Sequence, residues 1–189
     1  MGEYMKILAF AGSIRSGSLT EHVLDFALDN IRKKEGYALE NFRLADFDIP
    51  MFNDIALSKL ERNADILKLL EMTHSADAIL IACPEYNGSI PGCLKNLIDW
   101  LSFNIFQEEG YIQPFVGKIC GVLSASPSQF GAVRAVLHLH DILVHLKSVV
   151  MPEYLCLPRA AVGKISESDI MALHSYSNNF INFIRKHKS

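Results

Sequence analysis

Ala78-Ile79-Leu80-Ile81-Ala82-Cys83 runs directly into Pro84-Glu85-Tyr86-Asn87-Gly88-Ser89-Ile90-Pro91-Gly92, and that into Cys93-Leu94-Lys95-Asn96-Leu97-Ile98-Asp99-Trp100-Leu101. The first part is a short unbroken apolar run, the pattern of a strand buried on both faces. The last part repeats its apolar residues at helical spacing. Between them lies a polar loop with two prolines and two glycines, placed where a buried strand becomes a helix. In an open α/β sheet that rim is where ligands bind.

Working outward, the same alternation recurs. Met5-Lys6-Ile7-Leu8-Ala9-Phe10-Ala11 reads as a first strand, and Val23, Leu24, Ala27, Leu28 and Ile31 mark one stripe of a helix after it. Arg32, Lys33 and Lys34 fall in its last turn, with Gly36 as terminator. A second strand over 37–44 alternates polar and apolar residues, as an edge strand does. A helix over 57–73, a strand over 117–123, a helix over 130–146, a fifth strand over 148–157 and a last helix opened by Ser166-Glu167-Ser168-Asp169 complete the chain. Strand and helix alternating five times specify an α/β fold with a parallel sheet covered by helices on both faces; a doubly wound five-stranded sheet in the order 2-1-3-4-5 is inferred from that alternation. No linker or repeat interrupts it, so 1–189 reads as a single domain.

In that order the loops after strands one, three and four are neighbours. Gly12-Ser13-Ile14-Arg15-Ser16-Gly17-Ser18-Leu19-Thr20 has the chemistry of an anion cradle: hydroxyls, close backbone approach at the glycines, a guanidinium, and a helix N-terminus behind them. The plainer reading is a solvated turn with Ser18 as helix cap. The loop is neither a Walker loop nor a dinucleotide Gly-x-Gly-x-x-Gly. The 84–92 loop offers Tyr86 as an aromatic surface, Asn87 as donor and acceptor, and backbone N–H groups, which suits a flat ligand. The third loop, Ser124-Ala125-Ser126-Pro127-Ser128, takes its meaning from the other two.

Composition narrows the class. Half of the 189 residues are hydrophobic, 21% are charged and the net charge is −3. That describes a globular chain without the basic excess a nucleic-acid or membrane-surface partner requires. The apolar runs are too short to span a bilayer and the first residues do not form a secretion signal. Four cysteines stand singly, Cys83 and Cys120 inside apolar strands, which fits a reduced, cytoplasmic protein.

The motifs resemble those of the NADPH-dependent FMN reductase family, flavodoxin-like quinone, chromate and azo reductases. The 12–20 loop is similar to the family's Gly-Ser-x-Arg-x-x-Ser-x-Asn phosphate loop, with Thr20 in place of Asn. The 84–92 loop, with Leu94-Lys95-Asn96 and Ile98-Asp99-Trp100, is similar to its isoalloxazine loop and following helix. Gly131-Ala132-Val133-Arg134 resembles its Gly-Gly-x-Arg segment, with Ala132 for the second Gly, and Ser128 stands where Gly is often found.

The resemblance implies an FMN-dependent NAD(P)H oxidoreductase. It implies a phosphate held at Ser13, Arg15, Ser18, Leu19 and Thr20, and a ring against Pro84, Glu85, Tyr86, Asn87, Gly88 and Ser124. Hydride would pass from NADPH or NADH to FMN, then to a quinone, flavin, azo or metal-oxyanion acceptor by a ping-pong scheme. No side chain is named as catalytic, and Glu85 is read as a carboxylate at the site rim. A homodimer or homotetramer is also implied, with the helix bearing Trp100, Leu101 and Phe103 and the helix over 130–146 at the seam. The competing reading is a flavodoxin-like single-electron carrier without nicotinamide activity, which a strongly acidic docking face would favour. Another is a fold that has lost FMN and serves as a binding module.

His138, Asp141 and His145 share one face of the helix over 130–146, a spacing that metal ligands also use. No further ligand clusters with them in the sequence, so no metal is expected. Pocket width is assigned to the loops over 46–55 and 104–114.

Overall fold

The computed structural model describes residues 4–60, 63–103 and 113–188. Its centre is three parallel strands, β1 (Met5–Ala11), β3 (Ala78–Ala82) and β4 (Ile119–Ala125), with every β3 and β4 residue buried. β2 (Tyr37–Arg43) pairs with the outer side of β1, and its alternating exposure is that of an edge strand. The order is β2-β1-β3-β4-β5, the flavodoxin-like arrangement expected from the alternating pattern.

Because successive side chains of a strand point to opposite faces, each central strand feeds two cores. Leu8, Phe10, Ile79, Ile81, Cys120 and Val122 pack beneath α3 (Ala64–Ser75), α4 (Gly92–Ser102) and α5 (Val133–His145). Ile7, Ala9, Leu80, Ala82 and Leu123 pack beneath α1 (Leu19–Ile31) and α6 (Glu167–Lys188). Gly121 is required between the sheet and α6: a Cβ there would sit 2.8 Å from the Phe180 ring. Tyr176 is fully buried and donates to the Val122 carbonyl at 2.9 Å.

Four expectations need correction. The fifth strand is two pieces, β5 (Val149–Val150) against the start of β4 and β6 (Leu155–Leu157) against its end. Pro152 lies between them and has no N–H to give the ladder. The helix over 57–73 is instead α2 (Asp54–Leu57) and α3, because Asn53 caps the first at Ala56 and Asn63 caps the second at Ile66. α1 ends at Ile31, so the three basic residues follow its last turn; Gly36 does adopt the left-handed conformation that ends such a segment. Finally, Trp100 and Leu101 are spent inside the protomer. Trp100 is wholly buried and its Nε1 donates to Pro50 O at 2.8 Å, leaving only Phe103 of that group exposed.

Ser166 and Asp169 form the reciprocal cap read from their spacing: each backbone N–H is accepted by the other's side chain at 3.1 Å. Among the described residues, no helix is long and apolar enough to cross a membrane. Burial pushes the Cys83 thiol well above its ordinary value and that of Cys120 up to about 12, so both behave as small hydrophobes.

Candidate functional site

The ladder between β1 and β3 continues one residue past β1, through Gly12 N to Ala82 O at the end of β3, at 2.9 Å. The loops that follow therefore leave the sheet side by side. Gly12 is constrained here: a Cβ would lie 2.6 Å from Leu94 Cδ2. The loop then turns at Gly17, whose φ is 64°, and enters α1 at Ser18.

Ser18 occupies the cap position, but its side chain accepts from no helix N–H; its Oγ pairs instead with Thr20 Oγ1 at 2.8 Å. Among the described residues, the N–H groups of Leu19, Thr20 and Glu21 find no acceptor. Arg15 is exposed and its guanidinium makes no ion pair among those residues. Unpaired N–H groups at a helix start, two hydroxyls and a free guanidinium make a donor set suited to a phosphate.

The second loop is built around a tight hairpin. Tyr86 N donates to Ser89 O at 3.0 Å and Ser89 N to Tyr86 O at 3.1 Å. The two central residues, Asn87 and Gly88, have φ of 53° and 78°. Positive φ at both is the mark of a type I′ turn, and Asn-Gly is the pair that tolerates it best. The N–H groups of Asn87 and Gly88 bond to no described residue, so the tip presents two donors.

Arg15, Ser18, Leu19, Thr20, Pro84, Glu85 and Tyr86 line one cleft of about 280 Å³, closed on the far side by Ala125, Ser126, Pro127, Ala161 and Val162. Ser13 and Ser124 are outside this lining and fully buried. Ser13 Oγ is 3.1 Å from the Tyr86 hydroxyl and accepts from Arg15 N. Ser124 belongs to β4 rather than to the loop beyond it, because pairing with β6 lengthens the strand; its hydroxyl donates to Cys83 O. Asn87 and Gly88 stand at the turn tip, outside the lining.

Glu85 does more than border the cleft. Its Oε2 accepts from Arg134 N at 3.1 Å and Ala135 N at 3.3 Å, which makes it the anionic cap of α5. α5 lacks a cap of its own, since Ala132 stands at that position in a left-handed conformation.

The sequence missed Ala161 and Val162. No motif marks the run after β6; Arg159 N to Ser128 O and Ala160 N to Ser126 O hold it at the cleft. On α4, Asn96 clamps the 50–52 segment, with Nδ2 on Pro50 O at 3.0 Å and Oδ1 accepting from Phe52 N at 2.8 Å. Of the loop over 104–114, positions 104–112 lie outside the described residues. Among the described residues no three His, Cys, Asp or Glu side chains gather as metal ligands, and His138 Nδ1 is paired with Ser89 Oγ at 3.0 Å.

Residues 5–162 match the family described as NADPH-dependent FMN reductase. The chain is 38% identical to an NAD(P)H-dependent FMN reductase of Pseudomonas aeruginosa over 147 residues, 77% of this chain and 73% of the relative. It is 33% identical to a quinone reductase of Escherichia coli K12 over 158 residues, covering 82% and 79%. In structure it resembles FerB, a flavoenzyme NAD(P)H:(acceptor) oxidoreductase from Paracoccus denitrificans, with a TM-score of 0.77 at 29% identity over 97% of this chain and 98% of the other. The chain therefore belongs to the NADPH-dependent FMN reductase family, as an oxidoreductase whose cofactor is FMN and whose reductant is NAD(P)H.

Proposed function

We propose that this chain, acting as one FMN-binding domain, reduces a small-molecule acceptor (a quinone, flavin, azo compound or metal oxyanion) at the expense of NADPH or NADH. The observation that carries the reading is a pair of unsatisfied donor sets, one lining the cleft and one at the tip of the turn whose Tyr86 borders it. The N–H groups at the start of α1, with Ser18, Thr20 and Arg15, suit a phosphate. The N–H groups of Asn87 and Gly88, on the turn bearing Tyr86, suit the polar edge of a flat ring.

FMN, when bound, supplies the redox chemistry, hydride uptake from the nicotinamide and delivery to the acceptor in a ping-pong sequence. The protein's part is placement. Ser13 steadies the Tyr86 hydroxyl and Ser124 holds the Cys83 carbonyl just before Pro84, Leu19 and Pro84 form apolar wall, and Tyr86 offers its ring. Glu85 is occupied in capping α5, which argues against its acting as a proton donor, and no other side chain is assigned that task.

A cleft of about 280 Å³ is at the small end of ligand sites, which run to roughly 300–1,000 Å³. It suits a phosphate and one face of a ring, leaving the outer face for nicotinamide and acceptor in turn. Exposed Leu137 and Val144 on α5, with Phe103 after α4, are apolar surface for a second copy in a homodimer or homotetramer. Such an assembly would wall the open side. The setting is the cytoplasm, where Cys83, Cys93, Cys120 and Cys156 stay reduced.

A visible spectrum of the purified protein tests the reading. Bands of oxidised flavin that bleach with NADPH and return on adding a quinone are expected. A flavin-bearing protein that leaves NADPH absorbance unchanged would point to a single-electron carrier instead.

A further inference from the structure

A two-residue hairpin held by two backbone bonds is marginal by itself in water, yet the 84–92 turn must keep Tyr86, Asn87 and Gly88 in place at the cleft. Its tip is exposed at Asn87, so its position depends on ties to the rest of the fold. One tie runs to the 12–18 loop through Tyr86 and Ser13. The other two run to a single helix. Glu85, just before the turn, accepts from the N–H groups of Arg134 and Ala135. Ser89, at its end, pairs with His138 Nδ1 at 3.0 Å.

Arg134 and His138 are four residues apart and so stand one above the other on the same face of α5. The turn tip also rests there: a Cβ at Gly88 would be 3.7 Å from Arg134 Cδ. Helix and turn thus meet at two matched points, one at each end of the turn.

We propose that α5 is the brace that sets the position of this turn, and that His138 is a positioning residue acting through Ser89. The inference rests on the reading that the turn faces FMN, but the brace itself is a property of the chain without it. The geometry suits the role. A serine hydroxyl donates to an unprotonated Nδ1 or accepts from a protonated one, so the tie survives either imidazole tautomer. His138 is exposed and carries no core packing, so its removal leaves the fold intact.

The test compares the full-length protein with His138→Ala, His138→Asn, Ser89→Ala and the His138→Ala/Ser89→Ala double variant. Amide exchange of Tyr86 and Ser89, the two N–H groups bonded across the turn, is followed by NMR, and FMN affinity by fluorescence quenching. The net worth of one hydrogen bond puts the expected acceleration in His138→Ala at about two- to tenfold. β3 should be unaffected, and FMN binding should weaken by a similar factor. Asn places an amide where Nδ1 was, so His138→Asn should restore most of both. The double variant should exchange no faster than either single one, because both remove the same tie.

Unchanged exchange in His138→Ala, or two effects that simply add, overturns the brace. A wild-type protein that takes up no FMN but shows the exchange pattern sinks the flavin reading and leaves the brace standing.

Discussion

The hydroxyl of Tyr86 lies 3.1 Å from that of Ser13, joining two loops separated by 73 residues of chain at one rim of the sheet. Tyr86→Phe keeps the ring and removes only this tie. Ser13 Oγ still accepts from Arg15 N, so it keeps one of its two partners and the melting temperature should fall only slightly. FMN affinity should fall about two- to tenfold, the worth of one net hydrogen bond. Fluorescence titration reads this directly, and an unchanged affinity would mean the two loops are placed independently.

Glu85 caps a helix that starts 48 residues later in the chain than the carboxylate itself. Glu85→Ala leaves the N–H groups of Arg134 and Ala135 without their acceptor and should cost ~1–2 kcal/mol in urea unfolding. Glu85→Gln keeps an acceptor while losing the charge and should fall between. If Gln matches wild type, the hydrogen bonds matter, and neither the helix dipole nor the Arg134 guanidinium 3.5 Å from Glu85 Oε1 does.

Ala132 is fully buried with φ of 68°, a conformation that costs an L-residue about 1–2 kcal/mol. Glycine relieves this but has more unfolded-state entropy to lose, roughly 0.5–1 kcal/mol. Ala132→Gly should therefore raise stability by up to ~1 kcal/mol. A lower urea midpoint would show that the packed methyl group outweighs the backbone strain.

Asp77 predicts an acid limb. Burial raises its carboxyl, but hydrogen bonds from the Lys188 ammonium and Lys6 N–H, with the charges of Lys188 and Lys118, outweigh that and hold it below its ordinary 3.8. A carboxylate lowered in the folded state contributes stability above the unfolded value and loses it as pH falls through the folded one. Stability should decline below about pH 4, and Asp77→Asn should be weaker at neutral pH but flatter toward acid. Urea midpoints across that range check both, and parallel curves for the two proteins would refute it.

Much of the architecture was legible because burial on both faces leaves a plain mark. β3 and β4 read as unbroken apolar runs, the stripe Val23, Leu24, Ala27, Leu28 and Ile31 is the buried side of α1, and β2 alternates as an edge strand must. The errors came where a short-range device overrode the pattern: Pro152 interrupting the last strand, Asn53 and Asn63 cutting one expected helix into two.

By itself, then, the sequence determined the strand–helix alternation, from which the sheet order was inferred, and the Pro- and Gly-rich turn between β3 and α4, since hydrophobic period and turn residues are local marks. Tertiary structure alone decided how that turn is held and what else walls the cleft. Glu85 meets Arg134, Ser89 meets His138, and Val162 faces Arg15 because folding brings distant segments within hydrogen-bonding or packing distance. Such contacts have no period along the chain; they exist only once β3, α5 and the run after β6 have been set side by side.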